Sequence, residues 1–461
     1  MTSLSPSQAM LATMWSALDG DPDALAAVRL KGEGGLPSVF ATTDLAQASV
    51  AAAGLALAGL VSGAGGAYPE VSCDRRLAAM WFSSSLRPEG WAPPPLWDAV
   101  AGDYRAADGW IRLHTNASHH RAAALAALRL DAGQATREDV GRAVSGWRAS
   151  ELENAVVAHG GCAAEMRSQA QWASHPQGAA VAAEPLVACR YFDAAAAAPR
   201  PVDPLRPLAG VRVLDLTRVL AGPTATRLLA AFGADVLRID PASWEEPGVV
   251  PDMTLGKRCA GLDLRQPAGR AVLEALVQQA DVMVHGYRAD ALERLGLGAH
   301  RRRELNPGLV DVALNAYGWS GPWSSRRGFD SLVQMSSGIA EAGMRAAGSD
   351  KPVPLPVQAL DHATGYLMAA AAVRGLTRRQ TGGGSQYRLS LARTARLLAD
   401  YPAASGQSPL APETMADVHP HLEMTVWGPA RRLRGPLGVG VAAMAWDRPA
   451  SPLRSVQPAW S

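Results

Sequence analysis

One aspartate at the start of an alanine-rich segment is the residue of this chain whose type and position most directly suggest chemistry. Asp361 follows the apolar run 355–360 and opens a segment with helical spacing. A carboxylate there can be a simple N-cap, which stabilises a helix by about 1 kcal/mol. It can also be a base or a nucleophile that the positive end of the helix holds in a cleft. The residue pattern leaves both interpretations open.

A helix N-terminus and several cations supply candidate anion-binding groups. Gly222 opens a helix directly after a strand-like run, and free N–H groups at such a start bind anions. The segment has neither a GxGxxG nor a P-loop pattern, so a dinucleotide site is only weakly indicated. Four cations are expected near strand ends, where α/β proteins bind ligands: Lys257, Arg258, Arg288 and Arg294. A solvated surface charge is the alternative for each.

The segment 207–240 predicts the elements that position these groups. Residues 211–216 form a β-branched run of strand length, 224–232 show helical spacing, Gly233 is a typical helix stop, and 235–239 form a second run. This is a βαβ unit with parallel strands. The alternation continues, with strands predicted at 236–239, 282–285, 309–314 and 387–391 and helices at 269–279, 289–295 and 362–377. We therefore predict an α/β fold with a doubly wound, Rossmann-like parallel sheet.

The rest of the chain divides into further predicted parts. Asp108-Gly109 between two strand-like runs predicts a hairpin, and helical stretches follow at 122–130, 137–144 and 149–159. The Pro- and Ala-rich stretch 194–210 is predicted to be a linker. The predicted parts are a helical segment (1–68), a smaller α+β domain (69–200), the α/β domain (205–400) and a C-terminal tail that wraps over another domain (401–461).

The composition predicts a globular, cytoplasmic protein. Of the 461 residues, 48% are hydrophobic and 19% charged, and the formal net charge is +2. No block of like charges suits nucleic acid, and we expect neither a nucleic-acid nor a membrane partner. The four cysteines lack CxxC spacing, which indicates neither a metal site nor a disulfide framework. The apolar stretch 46–61 is predicted to be a buried helix, and no signal sequence is expected.

Ordered sequence blocks between Pro207 and about Leu398 resemble the class III CoA-transferases, which include formyl-CoA and carnitine CoA-transferases. Among them are PLAGVRVLDLTRVLAGP, FGADVLRID, AYGWSGPWSSRRGFDSLVQMSSG and LDHATGYLMAAAAVRGL. The segment DYRAADGWIRL resembles the small domain of the same family, which there follows the catalytic helix and here precedes the α/β part. The segments 36–60 and 355–376 also resemble each other when Asp44 is aligned with Asp361. The order is therefore predicted to be rearranged or partly duplicated, with 1–68 as a truncated first copy.

The resemblance implies a CoA-transferase in which Asp361 attacks an acyl-CoA thioester to form a mixed anhydride, followed by an aspartyl-CoA thioester. An acceptor acid then collects the CoA. The turn Val219, Leu220 and Ala221 is implied to stabilise oxyanions, and Tyr317 to lie near the acyl site. The residues implied to suit CoA phosphates are Lys257, Arg258, Arg288 and Arg294. CoA is thus part of the substrate, with no tightly bound cofactor and no metal, the partners are acyl-CoA and small carboxylic acids, and a homodimer is expected.

Departures from the family pattern keep two alternatives open. Residues 63–66 are at best a stub of the family's glycine-rich loop, and Gly-Tyr-Arg at 286–288 replaces Asn-Phe-Arg. The α-methylacyl-CoA racemases share the fold but use a His in Gly-His-Asp, whereas residues 328–330 here are Gly-Phe-Asp, and Phe cannot exchange a proton. His362 is adjacent to Asp361 but points elsewhere on a helix. A retired CoA-binding protein is the other alternative, and Asp44 is predicted to be structural.

Overall fold

The computed structural model describes residues 4–63, 65–193, 200–404 and 406–461. Its N-terminal elements, up to the first hairpin, are α1 (Pro6–Ser16), β1 (Val28–Lys31), α2 (Thr42–Ser62), β2 (Val71–Asp74), α3 (Arg75–Trp81), β3 (Leu86–Pro88), β4 (Gly102–Arg105) and β5 (Trp110–Leu113). The elements that follow the hairpin are α4 (Ser118–Ala127), α5 (Arg137–Ser145), α6 (Ala149–Ala158), β6 (Ala163–Glu165), α7 (Gln169–Ser174), α8 (Pro176–Ala183) and β7 (Ala188–Phe192). The first part of the predicted linker 194–210, residues 194–199, lies outside the described residues.

The second half of the chain alternates strands and helices, as predicted. The elements are β8 (Arg212–Leu216), α9 (Ala221–Ala231), β9 (Asp235–Asp240), α10 (Val250–Met253), β10 (Lys257–Gly261), α11 (Pro267–Gln279), β11 (Val282–His285), α12 (Ala291–Arg294), α13 (Ala299–Leu305), β12 (Val310–Asn315), α14 (Asp330–Ser336), α15 (Ile339–Ala346), α16 (Ala359–Arg379), β13 (Gly384–Ser390) and α17 (Leu391–Ala399). The tail adds β14 (Glu423–Thr425), β15 (Gly428–Arg432), β16 (Leu437–Val439) and β17 (Ala442–Ala443).

A seven-stranded sheet in the order β10-β9-β8-β11-β12-β13-β7 forms the centre of the α/β part. The first six strands are parallel, and β7 joins β13 antiparallel at the edge. Along the chain the six parallel strands follow the Rossmann order, which reverses between β8 and β11. The predicted doubly wound sheet is therefore confirmed. At such a reversal the loops after the two strands diverge and leave a crevice at their carboxyl ends.

Two strands of this sheet were missed by the sequence pattern, and both carry charged residues. Lys257 and Arg258 open β10, and Arg190 lies in β7. Because β10 runs parallel to β9 with Lys257 opposite Val236, both cations lie at the amino end of the strand. That is the edge of the sheet opposite the crevice.

The remaining elements divide differently from the predicted ranges. The hairpin β4–β5 is confirmed, and with β6, α4, α5 and α6 it encloses a core of its own, made of residues between Val100 and Ala163. The α+β unit is thus narrower than the predicted range 69–200, because β7 belongs to the large sheet. Strands of the tail complete two small sheets, since β16 pairs with β2 and β15 with β3.

Helix α2 lies inside the main core, packed against α16. It is long and apolar enough to cross a membrane, and 89% of the relevant window is buried within the protein. No other helix in the described ranges passes that test. The prediction of a buried helix at 46–61 is therefore confirmed. The small residues Ala and Gly allow it to pack closely against its neighbours.

Candidate active site

A cleft of about 460 Å³ opens at the carboxyl ends of the parallel strands, at the reversal of strand order. Loops after β8, β11 and β12 form its walls, and the start of α16 contributes Asp361. The α+β unit closes one side with His119 and His120. The cleft lies where the topology predicts a ligand site in an open α/β sheet.

Asp361 is the third residue of α16, and a tight turn fixes where that helix begins. The Ala359 N–H donates to the Val357 carbonyl (2.8 Å), and Gln358 between them has φ −75° and ψ 64°, which is an inverse γ-turn. One turn further, a Cβ on Gly365 would lie 2.3 Å from the Ala221 carbonyl oxygen. Only glycine permits this close approach, which holds the start of α16 against the turn before α9.

A second carboxyl group controls the charge of Asp361. The Asp361 N–H donates to Asp330 Oδ2 (2.9 Å), and Gln334 Nε2 donates to Asp330 Oδ1 (2.5 Å). Burial and the neighbouring Asp330 charge raise the pKa of Asp361 well above its usual range. Burial also raises the pKa of Asp330 to about 6. Within the described residues no cation pairs with Asp361. Asp330 lies in the sequence block AYGWSGPWSSRRGFDSLVQMSSG but was not predicted as a site residue.

The turn between β8 and α9 is strained. Val219 has φ +65°, a left-handed conformation that is unfavourable for a β-branched residue. Its N–H donates to Glu246 Oε2 (2.9 Å) and is therefore engaged. Leu220 and Ala221 remain candidates for oxyanion donors, because the first N–H groups of a helix lack intrahelical acceptors. A Cβ on Gly222 would lie 2.2 Å from Thr217 Cβ, so glycine is required there.

Two arginines present their guanidinium groups to the cleft without an ion pair in the described part of the chain. Arg288, a predicted contact, lies after β11, and Arg327, which was missed, lies after β12. Both line the same cleft, and burial together with the Arg327 charge lowers the pKa of Arg288. Arg327 Nη1 donates to the Gly160 carbonyl (2.9 Å), which orients it. Two adjacent unneutralised cations are typical of a phosphate site.

The other three predicted phosphate contacts do not reach the cleft. Lys257 Nζ is buried between Asp215 Oδ2 (3.1 Å) and the Pro223 carbonyl (3.0 Å), which tie β10 to β8 and α9. Arg258 pairs with Asp235 (2.9 Å) at the amino edge of the sheet. Arg294 pairs with Asp290 (2.9 Å) one helical turn away. This geometry supports structural roles for Lys257 and Arg258 and a surface role for Arg294.

Tyr317 also lies behind the cleft instead of in it. Its ring is buried, its hydroxyl is 3.2 Å from Ser336 Oγ, and Arg326 stacks over the ring at 5.5 Å. It supports the wall formed by Gly328, on which a Cβ would lie 2.6 Å from the Tyr317 ring. A direct contact of Tyr317 with an acyl group is therefore not supported by the structure.

His120 is a cleft residue that the sequence pattern gave no reason to select. It is 3% exposed, and within the described chain both of its ring nitrogens lack a partner. Burial, with the charges of His119 and Arg327, lowers its pKa to about 3, so the ring is neutral at physiological pH. The residue comes from the α+β unit, far from Asp361 in sequence. No group of three or more metal-ligating side chains occurs in the described segments.

Comparison with known proteins identifies related sequences. The model of CoA-transferase family III matches residues 208–422. An acetyl-coenzyme A transferase of Hypoxylon pulicicidum is 37% identical over 196 residues, which cover 41% of this chain and 33% of that protein. An acyl-CoA transferase of Gibberella moniliformis is 31% identical over 315 residues, covering 64% of this chain and 55% of that protein. A succinyl-CoA:glutarate CoA-transferase of Mus musculus is 34% identical over 198 residues, covering 40% and 44%.

A solved structure also resembles the chain, over less than its full length. A CaiB/BaiF family protein of Brucella suis matches with a TM-score of 0.39 and 26% identity, over 49% of this chain and 65% of that one. The chain spans about half the length, or less, of the first curated relatives that it matches: 33%, 55% and 49%.

Proposed function

The chain belongs to CoA-transferase family III through residues 208–422, and on that premise we propose that it transfers CoA between an acyl-CoA thioester and a free carboxylic acid. The observation that carries the proposal is Asp361, a buried carboxyl that lines a cleft with the guanidinium groups of Arg288 and Arg327, all three without an ion-pair partner among the described residues. An ordinary N-cap or structural aspartate would be neutralised or hydrogen-bonded. A nucleophile must instead keep its oxygens free.

In the proposed reaction the Asp361 carboxylate attacks the thioester carbonyl. The C–S bond breaks, CoA leaves as a thiolate, and a mixed anhydride remains on Asp361. The thiolate then attacks the aspartyl carbonyl and displaces the acyl group as a carboxylate, which leaves an aspartyl-CoA thioester. The acceptor carboxylate reverses these two steps with its own acyl group. Each half needs no net proton, which suits a site whose neutral imidazole, His120, is a poor base.

The neighbouring groups fit these steps. Arg288 and Arg327 would hold CoA phosphates through paired, charge-assisted hydrogen bonds. The N–H groups of Leu220 and Ala221 would face the oxyanion that forms beside Asp361, since Gly365 packs directly on Ala221. Asp330 would position Asp361 through its backbone hydrogen bond and keep its pKa high.

Chemical trapping tests the proposal. The protein is incubated with a panel of acyl-CoAs, treated with hydroxylamine or borohydride, and measured by intact mass and peptide mapping. We expect an adduct on Asp361 that is lost in Asp361→Asn. The matched control is Asp44→Asn, because Asp44 is also the third residue of a buried helix of equal length. The control should retain the adduct.

Other outcomes would overturn the proposal. Deuterium entering the acyl α-carbon from heavy water, without an adduct, would indicate the racemase chemistry instead. CoA binding with neither signal would indicate a retired CoA-binding protein. The homodimer and the cytoplasmic location stay predictions, and light scattering of the purified chain with and without CoA tests the former.

A further inference from the structure

A second pocket adjoins the cleft that contains Asp361. It has a volume of about 320 Å³ and shares Val219, Trp244 and Phe329 with the cleft. Apolar residues make up much of its other walls: Pro94, Pro95, Leu96, Trp97, Pro247 and Val249. Val219 belongs to the strained turn packed near Asp361, and Phe329 precedes Asp330. The pocket therefore lies next to the position of the reacting carbonyl.

The described lining of the pocket offers no Lys or Arg to a bound ligand, whereas it includes three carboxylates: Asp98, Glu245 and Glu246. All three are already ion-paired with arginines that do not line the pocket: Asp98 with Arg121 (3.0 Å), Glu246 with Arg238 (2.5 Å) and Glu245 with Arg454. The one lining imidazole, His114, is neutral, because burial lowers its pKa well below its usual range. It stacks on Phe329 at 3.7 Å and so contributes an aromatic face.

We propose that this second pocket binds the acyl group and selects uncharged, monocarboxylic acyl chains over dicarboxylic ones. The inference rests on the proposed CoA transfer at Asp361. Because donor and acceptor acids would occupy the same position in turn, it applies to both. An alkyl chain gains about fourfold in affinity for each methylene that it buries. A terminal carboxylate would lose its hydration and find no Lys or Arg among the described lining residues, which disfavours its binding.

Matched acyl-CoA pairs test this selectivity. Butyryl-CoA and succinyl-CoA, and pentanoyl-CoA and glutaryl-CoA, have equal carbon counts and differ in one terminal carboxylate. We measure kcat/KM with the parent protein and calorimetric affinity with Asp361→Ala, which cannot react. We expect at least a tenfold preference for the uncharged member of each pair in both measurements.

A cation placed at the pocket mouth should weaken the preference. Leu96 lines the pocket and is 60% exposed, so Leu96→Arg can be accommodated without disturbing the core. It should reduce the preference for butyryl-CoA over succinyl-CoA by several-fold. The matched control is Leu205→Arg, at a residue that is 59% exposed and outside the pocket, which should leave the ratio unchanged.

The outcomes separate the two proposals. Equal affinity for the members of each pair, or no response to Leu96→Arg, would overturn the acyl pocket even if transfer occurs. Preferential binding of butyryl-CoA to Asp361→Ala, with no turnover by the parent protein, would support the acyl pocket and overturn CoA transfer.

Discussion

Helices α2 and α16 place the same residue at the same point of the same local structure, yet in opposite electrostatic surroundings. Both helices have 21 residues, and the third residue is Asp44 in one and Asp361 in the other. Each begins after an inverse γ-turn, closed in α2 by the Thr42 N–H and the Phe40 carbonyl (2.7 Å). The backbone conformation therefore does not distinguish a reactive aspartate from a structural one.

The neighbours of the two carboxyl groups make the difference. Asp44 accepts two hydrogen bonds from the Arg75 guanidinium (2.8 and 2.9 Å) and one from Ser7 Oγ (2.7 Å). Asp361 instead lies beside Asp330, whose charge opposes its ionisation. A carboxylate that is ion-paired with a guanidinium group is a poor nucleophile. A carboxylate without such a partner is less stable in its ionised form and therefore more reactive.

The likeness extends through the elements that follow each helix. In both places the aspartate helix leads into the second of two parallel strands, β2 beside β1 and β13 beside β12, and another helix follows that strand directly. Asp74 and Ser390 cap these following helices, α3 and α17. This supports the predicted partial duplication, and the likeness extends beyond the predicted range 1–68, to α3. Arg75 is the first residue of α3, and its counterpart in α17 is Leu391, which lines the cleft.

The largest expected contrast is in activity. Asp361→Asn should reduce CoA transfer by roughly 10³-fold or more, as expected for the loss of a nucleophile. Asp44→Asn should leave kcat/KM per folded molecule within a few-fold of the parent value. Steady-state kinetics at a temperature where both variants are folded, checked by circular dichroism, measures the contrast. Equal losses in the two variants would contradict the distinction.

The two substitutions should have opposite effects on the free energy of unfolding. Asp44→Asn leaves the buried Arg75 unpaired and should cost about 3–5 kcal/mol, which the double change Asp44→Leu with Arg75→Met should largely restore. Asp361→Asn should stabilise the protein. Because folding raises the pKa of Asp361, its contribution to stability is present at acid pH and lost as the pH rises through the folded pKa.

Denaturant unfolding at several pH values measures both effects. The advantage of Asp361→Asn should grow with pH above about 4, the usual pKa of an aspartate, by about 1.4 kcal/mol per unit until the raised pKa is reached. A variant as unstable as Asp44→Asn, or one whose advantage shrinks with pH, would show that Asp361 is ionised and stabilised in the native protein.

An arginine introduced beside Asp361 should give this residue the electrostatic surroundings of Asp44. Leu391→Arg places a guanidinium at the position that Arg75 occupies in the first copy. It should pair with Asp361, lower its pKa and reduce kcat/KM on the order of 10²-fold, because a pair that lowers the pKa by about two units stabilises the carboxylate by about 2.7 kcal/mol. Leu391→Met controls for the change in packing and should remain within a few-fold of the parent.

The smallest expected effect is on pH dependence. Since the attacking form is the ionised carboxylate, activity should rise with pH through the raised pKa of Asp361. Asp330→Asn removes the opposing charge and should move this acidic limb down by on the order of one pH unit. A profile of kcat/KM against pH measures the shift. An unchanged limb would show that another group controls it.

Local sequence patterns were sufficient for much of the fold and for one residue of the site. Apolar runs and helical spacing predicted β8, β9, β11 and β12 and the helix that carries Asp361. These elements are buried, and burial requires apolar residues in a regular pattern along the sequence. Strand β10 was missed because Lys257 and Arg258 interrupt the apolar pattern. Their charges are tolerated there since Asp215 and Asp235, from other strands, neutralise them.

Turn and helix formation depend on neighbours along the chain, so the local sequence is sufficient to set the backbone at the start of each of the two aspartate helices. The chemistry of the two aspartates depends on the fold, because a charge responds to whatever lies within a few ångströms, however distant in sequence. Arg75 lies 31 residues after Asp44 and reaches it through β2. Asp330 and Asp361 are likewise 31 residues apart, and the fold brings together two carboxyl groups where the first copy has an ion pair.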